Sequence, residues 1–193
     1  MVPSQEVTLV AATADDATVL SSLLELYLRE LSEIFPIEVR ADGQLGYDKL
    51  PLYWTEPSTH FAFLIRCRAQ IAGFVLVTRG SPATDDPEDL DVAEFSSFSY
   101  RRTGIGRRAA FLLWNRLSGR WIVRVSEANL IGLPFWERII GEYTQDAFDR
   151  NEHPGQVSHV PRLLIQKLPY DCGAGAGALE AKQRSRWLVR APA

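Results

Sequence analysis

The sequence predicts an α/β domain, with a mixed, mostly antiparallel sheet flanked by helices. Three observations point there. Two β-rich runs, His60 to Arg66 and Ile71 to Thr78, are separated by a short polar turn around Arg68, Ala69 and Gln70, which spells an antiparallel hairpin. Val19, Leu20, Leu23, Leu24, Tyr27, Leu31 and Ile34 recur at three- and four-residue steps, an amphipathic helix. The stretch from Asp91 to Leu117 switches from β-prone spacing to helical spacing across a basic glycine loop.

Composition bounds the function classes. A chain of 193 residues, 46% hydrophobic and 23% charged, suits one compact domain with a sizeable core. Its net charge of −3 gives no global attraction to nucleic acid. Three of the 21 basic residues are lysine (Lys49, Lys167, Lys182) and the rest arginine, a bias too broad to mark a phosphate site by itself. Cys67 and Cys172 are far apart and form no Cys-x-x-Cys pair. That suits a reducing compartment and argues against a disulfide framework or a zinc site. No early apolar run is long enough for a membrane span and no signal peptide is visible, so a cytoplasmic protein with no membrane partner is expected.

In chain order, Val7 to Ala11 reads as a first strand. Thr13 can cap the helix that follows, and Pro36 should end it. Residues 38–59 are irregular and aromatic-rich. Glu38, Tyr47, Tyr53 and Trp54 there either touch a small substrate or cover the core. In the hairpin, Gly73 marks a bulge or a close packing contact. Cys67 reads as a small buried hydrophobe. Gly80 to Asp91 is a turn-rich acidic loop, either solvated or a lure for a cationic substrate.

The central stretch then places Val92, Phe95 and Phe98 on a strand, and Ile105, Ala109, Leu112, Leu113 and Leu117 on a helical stripe. Between them lie Arg101, Arg102, Thr103, Gly104, Ile105, Gly106 and Arg107. Glycines permit tight turns and close approach to the backbone. A helix start exposes unpaired N–H groups and the positive end of its dipole. Together they make a pocket for phosphate. Gly119 fits a helix stop, and Trp121 to Val125 a strand buried on both faces. Pro134 fits only a first turn, so the next helix should start near Ile131. Asn129 either caps that helix or hydrogen-bonds a ligand. Tyr143 to Phe148 and Pro161 to Leu168 read as closing strands around a loop holding His153 and His159, which have no metal-like spacing. Residues 1–170 form the domain. Residues 171–193 are a Gly/Ala-rich tail expected to be disordered, either an appendage or a homodimer arm.

Arg101-Arg102-Thr103-Gly104-Ile105-Gly106 resembles the acyl-CoA-binding motif of the GNAT N-acetyltransferase superfamily, Arg/Gln-x-x-Gly-x-Gly/Ala. The run from Trp121 to Asn129 and through Phe135, Trp136 and Ile140 is similar to the strand and helix that follow in one bacterial branch of it. The resemblance covers roughly Val7 to Leu168. It implies a splayed central strand pair with the acetyl group in the gap, and transfer of acetyl from acetyl-CoA to an amine of a small molecule or peptide. By that resemblance the backbone of Thr103 to Arg107 would hold the CoA pyrophosphate, and Arg101, Arg102 and Arg107 would neutralise it. The strand at Ser96, Ser97 and Phe98 would pair with the pantetheine arm, with an N–H near Ser96 polarising the thioester. Glu94 would be the base or a structural residue, with Glu127 the second carboxylate candidate. Asn129 would contact CoA if it is not a cap, and Tyr47, Tyr53 and Trp54 would line the acceptor pocket. Many such enzymes carry a proton-donating tyrosine where this chain has Trp136, whose indole is a donor only. Tyr143 and water are the substitutes for it. No metal site is expected. The rival readings are a non-catalytic acyl-CoA-binding sensor or scaffold, and an interaction module without cofactor.

Overall fold

Apolar residues dominate His60–Cys67 and Gln70–Arg79, and these form strands β2 and β3. They pair antiparallel about Arg68 and Ala69, with Arg68 in the left-handed region at φ 57°. The register shifts where Ile65 faces Gly73 and Arg66 faces Ile71, so a bulge sits at Ala72. Both expectations for Gly73 therefore hold: a bulge adjoins it, and a Cβ there would stand 1.9 Å from the Ser96 carbonyl oxygen. The computed structural model describes residues 6–97, 103–153 and 162–167, and for residues 151–153 and 162–167 it gives the backbone course.

One compact unit holds the described residues up to Arg79 and from Val92 to Leu117. Its strands lie in the order β1-β2-β3-β4, with β1 at Val7–Ala11 and β4 at Leu90–Ser96. Helix α1 (Ala17–Leu31) follows β1 through a single 3-10 turn. Asp16 organises that turn by accepting from the Thr13 amide (2.9 Å) and hydroxyl (3.2 Å). The helix ends before Pro36. Ser32 turns its hydroxyl back onto the Arg29 carbonyl at 2.8 Å, and the amides of Ile34 and Phe35 both return to the Leu31 carbonyl. Ile34, expected on the apolar stripe, lies past the end and is exposed.

Leu20 and Leu24 of α1 pack on Ala62 and Leu64 of β2 and on Phe74 and Leu76 of β3. Burying each leucine is worth about 1.5–3 kcal/mol. Leu50 and Tyr53 close this core from the segment read as irregular, which contains a short helix, α2 (Leu52–Thr55). Helix α3 (Ile105–Arg116) lies on the other face, where the Arg116 guanidinium sits 5.1 Å from the Phe63 ring centre and donates to the Leu9 carbonyl at 3.0 Å. Phe63 alternates with Ala62 and Leu64, so α1 and α3 cover opposite faces. The buried arc of α3 holds Ile105, Ala109 and Leu113 as expected, but it is rotated toward Ala110 and Trp114, leaving Leu112 39% exposed.

The second unit holds Gly80–Asp91 and the described residues from Ser118 on. Its strands are β5 (Trp121–Ser126), β6 (Asp149–His153) and β7 (Arg162–Lys167), in the order β5-β7-β6 and antiparallel. Trp121, Ile122 and Val123 are all buried, as a strand covered on both faces requires. Helix α4 (Gly132–Thr144) packs beside β5, and Pro134 falls in its first turn. Residues 143–148, expected as a strand, are instead the end of this helix and its exit. Gln145 and Asp146 take left-handed φ of 55° and 60°, and the Asp146 amide returns to the Gly141 carbonyl at 2.9 Å.

The acidic loop is solvated at Asp85, Asp86 and Glu88, as one expectation had it, but not at its end. Asp89 and Asp91 are buried, at 1% and 0% exposure. Arg120 pairs with Asp89 and, at 3.2 Å, with Asp86, while Arg124 pairs with Asp91 at 2.8 Å. The hydroxyls of Thr84 and Ser81 donate to Asp89 and Asp91. Burial pushes the Asp91 carboxyl up, against the pull of Arg124 and Ser81. Buried charges persist only when paired and hydrogen-bonded, and here loop and β5 supply each other's partners. Helices thus flank antiparallel strands, the α/β class that the sequence predicts. Among the described residues no helix is long and apolar enough to cross a membrane. The tail, Cys172 and His159 lie outside the described residues.

Candidate functional site

The basic glycine turn is described from Thr103 onward. Phe98, Arg101 and Arg102 lie outside the described residues. Gly104 is the N-cap of α3 with φ 82°, and an added Cβ would meet nothing within 4 Å among the described residues. Glycine takes this left-handed geometry without penalty, and its surroundings leave room for another molecule. The Arg108 amide bonds to the Gly104 carbonyl at 3.1 Å. The amides of Ile105, Gly106 and Arg107 precede that bond, in the first turn that an α-helix leaves without i−4 acceptors. Ile105 is fully buried and anchors the turn, whereas Thr103, Gly104 and Arg107 are exposed. The Arg107 guanidinium lies 4.5 Å from the Phe111 ring centre, which holds a cation at the helix start. Amide donors, helix dipole and a cation suit an anionic group such as a pyrophosphate.

Ser96 ends β4 and is buried, and Ser97 follows it half-buried. The contact between Gly73 and the Ser96 carbonyl fixes the height of this strand end on the sheet. Glu94 is half-buried two residues earlier. Its charge acts on the phenol of Tyr27 in α1. Burial, then the Glu94 charge, push the Tyr27 phenol well above its ordinary range. Tyr27 also packs edge-on against Phe74, ring centres 5.7 Å apart at 88°. Tyr47 is half-buried against the same core and lies near enough to raise Tyr27 further. The structure therefore brings Glu94 and Tyr47 to one tyrosine.

The other expected acceptor residues lie elsewhere. Tyr53 is buried in the core, edge-on to His60 at 5.2 Å. Trp54 lines a cleft of about 590 Å³ with Thr18, Ser21, Ser22, Gln44 and Leu50. Its Nε1 is buried with no hydrogen-bond partner among the described residues. Glu38 is exposed. In the second unit, Asn129 acts as a cap: its Oδ1 accepts the Gly132 amide at 2.7 Å. Glu127 is half-buried just past β5. Trp136 is buried beside Phe135, ring centres 5.2 Å apart. Burial raises the Tyr143 phenol above its ordinary value.

Sequence reasoning missed Tyr27 as a site residue and placed it on the core stripe of α1. The available signal was a hydroxyl in a stripe otherwise made of aliphatic side chains, because a buried phenol needs a partner.

No family model matches the chain, and no curated protein matches it. Solved structures do. An acetyltransferase of the GNAT family from Streptococcus pneumoniae is 15% identical, covers 86% of this chain and 100% of its own, and superposes with a TM-score of 0.51. This chain has the GNAT fold. The yncA protein of Salmonella typhimurium, solved with its cofactor acetyl-CoA, is 11% identical over 90% of this chain and 99% of its own, with a TM-score of 0.56. The aminoglycoside acetyltransferase AAC(6')-Ib, solved with ribostamycin and coenzyme A, is 16% identical over 84% and 93%, with a TM-score of 0.56. At these identities the likeness is one of GNAT fold, and the chemistry must be argued from the site.

Proposed function

We propose that this protein is an acyl-CoA-dependent N-acyltransferase that moves acetyl from acetyl-CoA to an amine of a small molecule or peptide. The observation that carries the reading is the turn at Gly104: a left-handed glycine with no described residue within reach of an added Cβ, at the start of a helix, in a GNAT fold. The amides of Ile105 to Arg107 would face the pyrophosphate, with the Arg107 guanidinium beside it. The Ser96 end of β4 would run along the pantetheine arm and offer an N–H to the thioester oxygen.

Transfer would proceed by direct attack. The amine nitrogen bonds to the thioester carbon, the carbon–sulfur bond breaks, and CoA leaves as its thiolate. Glu94, half-buried on β4, takes the proton that the amine gives up. Neither Tyr27 nor Tyr143 is a good acid for the thiolate, since both phenols sit above their ordinary range. The thiolate would then leave unassisted or collect its proton from water.

The test is thiol release from acetyl-CoA across a panel of amines, comparing the wild type with Glu94→Gln. The variant should lose roughly 10²–10⁴-fold in kcat, the span of a positioned base, while its acetyl-CoA affinity stays unchanged. An unchanged kcat across pH would remove Glu94 as the base. Tight CoA binding with no turnover on any amine would favour the non-catalytic acyl-CoA-binding reading.

A further inference from the structure

We propose that Glu25 is a positioning residue for the acceptor: it fixes the loop at residues 40–48 so that Tyr47 forms one wall of the amine's seat. The inference rests on the acyltransferase reading and extends it from the cofactor and the base to the acceptor. The tether is geometric. Both oxygens of the Glu25 carboxylate accept from the Leu45 amide at 3.1 Å, and Oε2 also accepts from the Gly46 amide at 3.2 Å. Tyr47 is the next residue along. It packs, half-buried, against the core that Leu20 and Leu24 of α1 share with Phe74 and Leu76 of β3. Ala93, the β4 residue before Glu94, packs against that same core. An amine that yields its proton to Glu94 then has the Tyr47 ring as a neighbouring wall.

The position of this loop depends on directed bonds more than on close packing. The loop is braced within itself: the Arg40 amide donates to the Gln44 carbonyl at 2.8 Å, and the Gly43 amide returns to the Arg40 carbonyl at 2.9 Å. The Arg40 guanidinium also pairs with Asp48. A loop so braced shifts as one piece, and its seat is set by what ties it to α1. Gln44 does not pack down onto the helix; with Ser21 and Ser22 it lines an open cleft of about 400 Å³. The Glu25 bonds supply the tie. Gly46 takes a left-handed φ of 64°, the kind of turn in which successive amides converge on one anion. Hydrogen bonds to an ionised acceptor are roughly twice as strong as neutral ones.

Glu25→Ala removes both acceptor oxygens, and Glu25→Gln keeps one at the same reach. The assay uses the full chain and the amine that the wild type turns over fastest. Glu25→Ala should raise the KM for that amine roughly tenfold, with kcat within about twofold and acetyl-CoA affinity unchanged. Glu25→Gln should recover part of the loss, and it carries the comparison if the Ala variant does not fold. Tyr47→Ala should raise the same KM, and Glu25→Ala added to it should do little more, because both remove one wall. A readout without turnover is hydrogen exchange, which should quicken at the Leu45 and Gly46 amides about tenfold in Glu25→Ala. Quickened exchange with an unchanged amine KM would overturn the proposal, since the loop would be tied there without seating the acceptor. Losses from Glu25→Ala and Tyr47→Ala that multiply in full would overturn it too, as would a fall in kcat with KM unmoved. If the wild type turns over no amine, the acyltransferase reading falls and this proposal with it. Exchange at Leu45 and Gly46 would still register the tether, so that failure is distinguishable from the absence of the tether.

Discussion

A Cβ on Gly73 would stand 1.9 Å from the Ser96 carbonyl oxygen and 2.9 Å from the Ser97 Cα, both of them backbone atoms. Backbone in a strand cannot rotate aside as a side chain can, so Gly73→Ala must push the end of β4 off β3. Overpacking of this kind costs about 1–3 kcal/mol. The substitution should lower the urea midpoint and also lower kcat, because the displaced atoms belong to the strand end proposed to face the thioester. A Gly73→Ala protein as stable and active as the wild type would mean that β4 does not approach so closely. Glycine at 73 announced a bulge or a contact in the sequence, but Ser96 as its neighbour was not legible. Glu94 was legible as an acid on a strand. The effect of its charge on Tyr27 was not, because helical period assigns a residue to a face and says nothing about which distant strand lies near it.

At the scale of elements, legibility followed the strength of local signals. The hairpin at β2 and β3, the late start of α4 forced by Pro134 and the doubly buried β5 all came from pattern and backbone chemistry. The errors came where tertiary partners decide. Residues 143–148 look β-prone, yet α4 continues into them and exits through left-handed Gln145 and Asp146. The acidic loop is solvated at Asp85, Asp86 and Glu88, but its last two acids, Asp89 and Asp91, are buried against Arg120 and Arg124 from beyond it. The segment after α1 owes its place to a contact of the same kind. Glu25 accepts from the Leu45 amide at 3.1 Å and the Gly46 amide at 3.2 Å, tying the loop to the helix. Those two amides hold the Glu25 carboxyl below its ordinary value. A lowered carboxyl helps the fold above the ordinary glutamate range and ceases to help as pH falls through the folded value. The Leu45 and Gly46 amide shifts should therefore titrate together, with a midpoint below that of an ordinary glutamate. A midpoint at or above the ordinary value would break the link between loop and helix.

For the whole molecule, the Arg101–Gly106 motif in its strand-to-helix setting, with a second match from Trp121 through Ile140, led to the expectation of the GNAT fold, and solved structures at 11–16% identity share that fold. The acceptor was not legible, because fold and cofactor turn travel together while acceptor choice lies in loops that vary freely. If the start of α3 holds the anionic end of acetyl-CoA, calorimetry on two variants of Gly104 will register it. Asn and Asp both tolerate left-handed backbone and are nearly equal in size, so they differ at this position chiefly by one negative charge. Acetyl-CoA should bind the wild type with micromolar affinity, with a modest loss in Gly104→Asn and a further loss of at least roughly tenfold in Gly104→Asp. Equal affinities for the Asn and Asp variants, or no binding by a well-folded wild type, would contradict it.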